Sequence, residues 1–148
     1  MTKRLSFDTN ILIYAIDATE GVKQPRAAVL IDQARLADGL LTQQVIGELL
    51  NVGRKRPNLS TETTRAMAEE LCISFPTRPT PVEALFRAFG RAERHRLQFW
   101  DSVIATICID NHVDILLSED LQDGLNIDGL LVLNPFNPSN AAQIDAAF

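Results

Sequence analysis

Short apolar runs, each followed by a segment of helical periodicity, recur along this 148-residue chain and constrain its fold more than any other feature. Leu5 to Phe7 leads into Asp8-Thr9-Asn10 and then Ile11, Leu12, Tyr14, Ala15 and Ile16, which reads as strand, turn, helix. Ala27, Ala28, Leu30, Ile31 and Ala34 recur at helical spacing as far as Asp38-Gly39, with Gly39 expected as the C-terminal cap. Leu40-Leu41 is a minimal strand, and Thr42 is suited to cap a helix whose face is Val45, Ile46, Leu49, Leu50 and Gly53 and which ends near Pro57. Ser60 to Thr63 opens a further helix through Leu71, a strand is predicted at Ile73 to Phe75, and Thr80-Pro81 starts a helix running to about Arg94.

Val103 to Ile109 is apolar nearly all round, as a buried helix is, and Val113 to Leu117 and Leu130 to Leu133 read as buried strands. Residues 135–148 are expected to form a tail of loop and weak helix closing a single domain over residues 1–148. Strands that are apolar throughout and alternate with helices imply an α/β layered fold with a mostly parallel central sheet, which binds ligands at the carboxyl ends of its strands.

Composition excludes other classes. Hydrophobic residues at 46% and charged residues at 22% are those of a chain that folds on its own core. A net charge of −5 excludes a surface coated with basic residues for general nucleic-acid binding, so any such contact has to be local. Cys72 and Cys108 lack the spacing of a zinc site or redox pair and are expected in the core, reduced. The apolar run Ile11 to Ile16 is too short to span a membrane and no cleavage pattern follows it, so a cytoplasmic protein without a targeting segment is expected.

Four acids stand on segments leaving strands or entering helices: Asp8, Glu48, Asp101 and Asp120. Taken singly, Asp8 and Asp101 also suit helix caps, Asp120 a solvated acidic turn, and Glu48 the rim of its helix face. Taken together they would not be a device for stability. Two unit charges about 4 Å apart repel by roughly 4 kcal/mol at an effective dielectric near 20, so such a cluster has to take up protons or bind a cation. An all-oxygen set suits Mg²⁺ or Mn²⁺, since His95 and His112 are isolated and no cysteine set exists. Hard cations held by carboxylates commonly act on phosphate esters, and no serine or cysteine stands beside a suitable base, so metal-assisted phosphodiester hydrolysis by water is expected.

Phe7-Asp8-Thr9-Asn10-Ile11-Leu12-Ile13-Tyr14-Ala15, Gly47-Glu48-Leu49-Leu50, Phe99-Trp100-Asp101-Ser102-Val103-Ile104-Ala105 and Ile115-Leu116-Leu117-Ser118-Glu119-Asp120-Leu121 follow one another in an order that resembles PIN-domain ribonucleases, specifically the VapC-type toxins of toxin–antitoxin pairs. The resemblance implies a PIN-like three-layer sandwich, one or two Mg²⁺ or Mn²⁺ ions, RNA cleavage, a homodimer and inhibition by a cognate antitoxin. By position it assigns catalysis and metal binding to Asp8, Glu48, Asp101 and Asp120, with Asn10 and Ser118 in support. The fourth position departs from the commoner pattern, because Asp123 is a substitute for Asp120 and Glu119 adjoins both.

RNA needs positive charge at the groove. Arg87, Arg91 and Arg94 share a helical face, Arg96 follows them, and Arg54 and Lys55 close the Glu48 helix. These are the candidate RNA contacts, against the alternative of a charged face paired with acids. Trp100 is expected to pack in the core beside Asp101. Two other functions fit parts of the pattern. A haloacid-dehalogenase-like phosphatase also begins strand-Asp, though it needs a second aspartate where Asn10 stands. A PIN-fold protein-binding module with a dead site is the other.

Overall fold

The structure, a computed structural model, describes residues 3–148. Its centre is a five-stranded sheet built around β1 (Arg4–Phe7), which pairs in parallel with β2 (Asp38–Gly39) on one side and with β5 (Ile115–Leu117) on the other. Next to β5 runs β7 (Leu130–Leu133), also parallel, and β6 (Asn126–Ile127) closes the edge as an antiparallel strand. Leu5, Phe7, Leu116, Leu117 and Val132 are wholly buried, which is why these strands read as apolar without alternation.

Helices α1 (Thr9–Ile16), α2 (Lys23–Arg35), α3 (Gln43–Gly53), α4 (Thr61–Ser74), α5 (Val82–His95), α6 (Phe99–Asp110) and α7 (Ala141–Asp145) flank the sheet, and a small parallel pair joins β3 (Leu41–Thr42) to β4 (Thr77–Arg78). One apolar cluster runs through them from Leu5 to Ala147, so the tail is anchored in the core by Ile144 and Ala147. Thr42 and Ser60 cap α3 and α4 by accepting from the N–H groups of Val45 and Thr63. The α5–α6 hairpin is close-packed because α5 turns Ala84, Ala88 and Ala92 inward, and Ser102 Oγ donates to the Ala88 carbonyl at 2.7 Å.

Several expectations give way. No strand forms at Ile73 to Phe75: α4 continues to Ser74, with Ile73 largely exposed. The Phe75 N–H still closes onto the Leu71 carbonyl, and the Phe75 ring lies edge-on to Phe7 at 6.3 Å. Gly39 is not the cap of α2, which ends at Leu36; it lies in β2, where an added Cβ would stand 2.9 Å from the Phe75 ring. Cys108 is buried as expected, but Cys72 is exposed. Among the described residues no helix is long and apolar enough to cross a membrane.

Candidate active site

The register of the sheet places the site. Phe7 pairs with Leu117 and Leu117 with Leu133, so the chain leaves β1 and β5 side by side at the carboxyl edge. The Asp8 N–H donates to the Leu117 carbonyl at 2.9 Å, and Ser118 N–H to the Leu133 carbonyl at 3.1 Å. Asp8 is therefore both an N-cap and more. Its Oδ1 accepts from the Thr9 N–H at 2.8 Å, and its Oδ2 accepts from Ser118 Oγ at 2.8 Å. With both oxygens held, a carboxylate only 6% exposed has one orientation.

The other three acids are positioned from separate elements. Glu48, on α3, accepts from Thr9 Oγ1 at 3.2 Å and from Gln44 Nε2 at 2.6 Å, which ties α3 to the start of α1. Asp101 is not the cap of α6; that role falls to Gln98, whose side chain accepts from the Asp101 N–H at 3.1 Å and leaves the Asp101 carboxylate free of the helix end. Asp120, exposed, accepts from the amide of Asn10. Thr9 and Gln44 were not singled out in the sequence, although Gln44 stands one helical turn before Glu48.

The four carboxylates act on one another. Burial raises the Asp8 carboxyl above its ordinary value, with the charges of Asp120 and Glu48 adding to the effect against the hydrogen bonds from Ser118 and Thr9. Burial, then the charges of Asp8, Asp120 and Glu48, push Asp101 up to about 6. Among the described residues none of the four forms an ion pair, so this negative charge is uncompensated by the chain itself. Also among the described residues, no three His, Cys, Asp or Glu side chains stand as a ready-made ligand set. Glu48 and Asp101 line one open cleft, and the charges of Asp8 and Asp120 reach Asp101 there. The donor chemistry, carboxylate oxygen only, fits a hard divalent ion such as Mg²⁺, which keeps several waters and takes few direct protein ligands.

The neighbours of Asp120 have other partners. Asp123, the substitute, accepts from the Asn134 N–H at 2.9 Å, from Asn137 at 2.8 Å and from Asn140 at 2.8 Å, and so clamps the tail. Glu119 pairs with Lys23 at 2.7 Å and accepts from the Tyr14 hydroxyl at 2.7 Å.

Most of the expected basic contacts are drawn elsewhere. Arg87 forms ion pairs with Glu83 and with Asp110, and Asp110 lies at the far end of α6, roughly 13 Å along the helix from Asp101. Arg91 and Arg94 both turn to Asp128, joined there by His95, and Arg91 also donates to Thr106 Oγ1 at 2.7 Å. Glu83 on α5 itself, Asp110 on α6 and Asp128 in the turn between β6 and β7 satisfy this row. Arg96 is exposed at the left-handed C-cap of α5, Arg54 donates to Asn51 Oδ1, and Lys55 is exposed. Trp100 does not pack in the core: it is 52% exposed and lines the same cleft as Glu48 and Asp101.

The chain matches no protein-family model and no curated protein. Solved structures do match. VapC20 of Mycobacterium tuberculosis, described as a sarcin-ricin loop cleaving toxin, superposes with a TM-score of 0.65 at 13% identity over 78% of this chain and 89% of its own. A toxin–antitoxin complex from Klebsiella pneumoniae gives 0.65 at 18% identity over 89% and 98%. A DNA-bound VapBC from Salmonella typhimurium gives 0.66 at 16% identity over 91% and 99%. The chain thus has the α/β fold of the VapC PIN domains, a mostly parallel sheet flanked by helices.

Proposed function

We propose that this chain is a metal-dependent endoribonuclease of the VapC kind, the toxin of a toxin–antitoxin pair, acting through Asp8, Glu48, Asp101 and Asp120. One observation carries the reading. Four carboxylates from four separate segments lie close enough for the charges of Asp8, Glu48 and Asp120 to act on Asp101, and Thr9, Asn10, Gln44 and Ser118 hold those three in place although the charges oppose it. An arrangement that costs stability is kept for what it binds.

The four acids would hold one or two Mg²⁺ or Mn²⁺ ions, which when bound supply positive charge against a phosphodiester and make a water acidic enough to attack it. The chain's own residues do the rest. Thr9 and Ser118 hold the two Asp8 oxygens, Asn10 holds Asp120, and Gln44 holds Glu48. Asp101, partly buried beside the other three acids, is pushed up to about 6 when no ion is present, which a bound divalent cation would offset.

The phosphatase reading lacks its second acid, because Asn10 presents an amide that donates to Asp120. Incubation of the purified protein with single-stranded RNA and Mg²⁺ is expected to yield internal cuts, and p-nitrophenyl phosphate is expected to stay intact. Hydrolysis of the monoester alone would hand the site to the phosphatase reading. Inertness toward both, with toxicity on expression unchanged by Asp8→Asn, would hand it to the binding module.

An antitoxin and a second copy of the chain are the partners this function implies. Val82, Phe86 and Phe89 form an exposed apolar row on α5, and we assign the homodimer to that face. Light scattering is expected to give a two-chain mass that falls to one chain for Phe86→Lys, and a one-chain mass for the unaltered protein removes the assignment.

A further inference from the structure

A cleft of about 640 Å³ between α3 and α6 begins at Glu48 and Asp101 and extends past the acids, beyond what the proposed chemistry uses. Gln44, Gly47, Glu48 and Asn51 form its α3 wall, a single stripe at i, i+3, i+4 and i+7. Gln98, Trp100 and Asp101 form the α6 wall. Its end at Glu48 and Asp101 is acidic, and the remainder is amide and aromatic.

The geometry points to this cleft as the seat of a nucleobase of single-stranded RNA, stacked on Trp100 next to the phosphate being cut. The inference rests on the nuclease reading and deepens it. The Trp100 ring is half exposed, yet it is held. It packs edge-on against Phe99 at 4.9 Å and 72°, and Gln44 Nε2 donates to the Trp100 carbonyl at 3.1 Å, which fixes the segment against α3. A large apolar ring kept in water on a clamped backbone is a ready stacking platform, since every base has a π-face.

The opposite wall leaves room for it. A Cβ on Gly47 would meet nothing within 4 Å, so the floor is open backbone. Gln44, Gln98 and Asn51 offer amide donors and acceptors and no charge, the chemistry of a base edge and not of a phosphate. The cleft lies within the usual range for pockets that enclose a small ligand. Gln44 Oε1 is buried without a hydrogen-bond partner, one acceptor in this wall with an unmet need. Arg54, donating to Asn51 Oδ1 at 3.2 Å, stands beyond the far end of the stripe, where the strand's next phosphate would leave.

Trp100 is the chain's only tryptophan, so its emission reports this cleft alone. The probes are a single-stranded phosphorothioate oligoribonucleotide that resists cutting and an abasic strand of equal length, each added with Mg²⁺. The base-bearing strand is expected to quench the emission and the abasic strand to leave it unchanged. In cleavage assays Trp100→Leu is expected to raise KM roughly 10- to 100-fold with kcat within about twofold, and Trp100→Phe to restore most of it. Equal emission with both strands overturns the proposal, as does an unchanged KM for Trp100→Leu. Emission that follows protein concentration and ignores RNA overturns it too, by giving the ring to a second copy. Cleavage that persists without quenching removes this proposal alone, whereas quenching without cleavage removes the nuclease reading and leaves the stacking site.

Discussion

Asp101→Asn is expected to lower RNA cleavage roughly 100- to 1000-fold and, in protein freed of metal, to raise thermal stability. The first effect follows from removing a charge that the proposed reaction draws on to hold its ion, where the loss of one well-placed group commonly costs two to three orders of magnitude. The second follows from electrostatics. Asp101 is pushed up to about 6 by burial and by the charges of Asp8, Asp120 and Glu48, whereas in the unfolded chain it returns to the ordinary carboxylate range near 4.

Between those values the native state binds more protons than the unfolded one, so the metal-free protein loses stability as pH rises through about 4 to 6 and stays at the lower level above it. A difference of about two pH units is worth roughly 3 kcal/mol undiscounted; solvent screening of a partly exposed side chain reduces it to about 1 kcal/mol. Asparagine keeps the shape and abolishes that penalty. At pH 7.5 in chelator, Tm is expected to rise by about 2 to 4 °C, and the slope between pH 4 and 6 to flatten. Scanning calorimetry beside a cleavage assay measures both. A variant that is inactive and less stable at every pH would mean that Asp101 supports the fold and not the chemistry.

Three strands of the sheet, β1, β5 and β7, were legible in the sequence because strands buried on both faces are apolar throughout, whereas β2 and β6 are two residues each and carry no such run. The residues that leave β1 and β5 stand at the carboxyl edge, so Asp8 and Asp120 are marked by position. Asp101 was legible as an acid but not as an uncapped one, because the competing cap, Gln98, is a residue type seldom found in that role. The arginines of α5 were legible as a face but not as paired. Their partners, Asp110 and Asp128, come from other elements, and Asp128 sits in a turn at φ 50 that no helical periodicity marks.

Apolar residue type misled in two places. Ile73 and Trp100 are both large and apolar, and both stand in solvent, Ile73 on the outer face of α4 and Trp100 over the cleft. Hydrophobicity alone does not separate a core position from an exposed one when the run is short. Only the packing of Phe75 onto Phe7 and of Phe99 beside Trp100 shows which neighbour turns inward.

Removal of divalent metal is expected to abolish cleavage, and its return to stabilise the protein through the same four acids. Among the described residues no cation pairs with Asp8, Glu48, Asp101 or Asp120, so a bound Mg²⁺ or Mn²⁺ would relieve repulsion present only in the folded state. Binding to the native state alone contributes about 2.7 kcal/mol at one hundred times Kd, which for a chain of this size is a rise in Tm of roughly 5 to 10 °C. The rise is expected to shrink sharply in Asp8→Asn, whose amide keeps an oxygen for Ser118 or Thr9 but brings no charge. Asp123→Asn, which alters only the tail clamp on Asn137 and Asn140, is expected to retain the rise in full while starting from a lower Tm. Thermal scans in EDTA and across a Mg²⁺ titration, with RNA cut in parallel, measure this directly. RNA cleavage undiminished in EDTA, or an Mg²⁺ effect lost in Asp123→Asn and kept in Asp8→Asn, would show that the converging carboxylates are not where the ion sits.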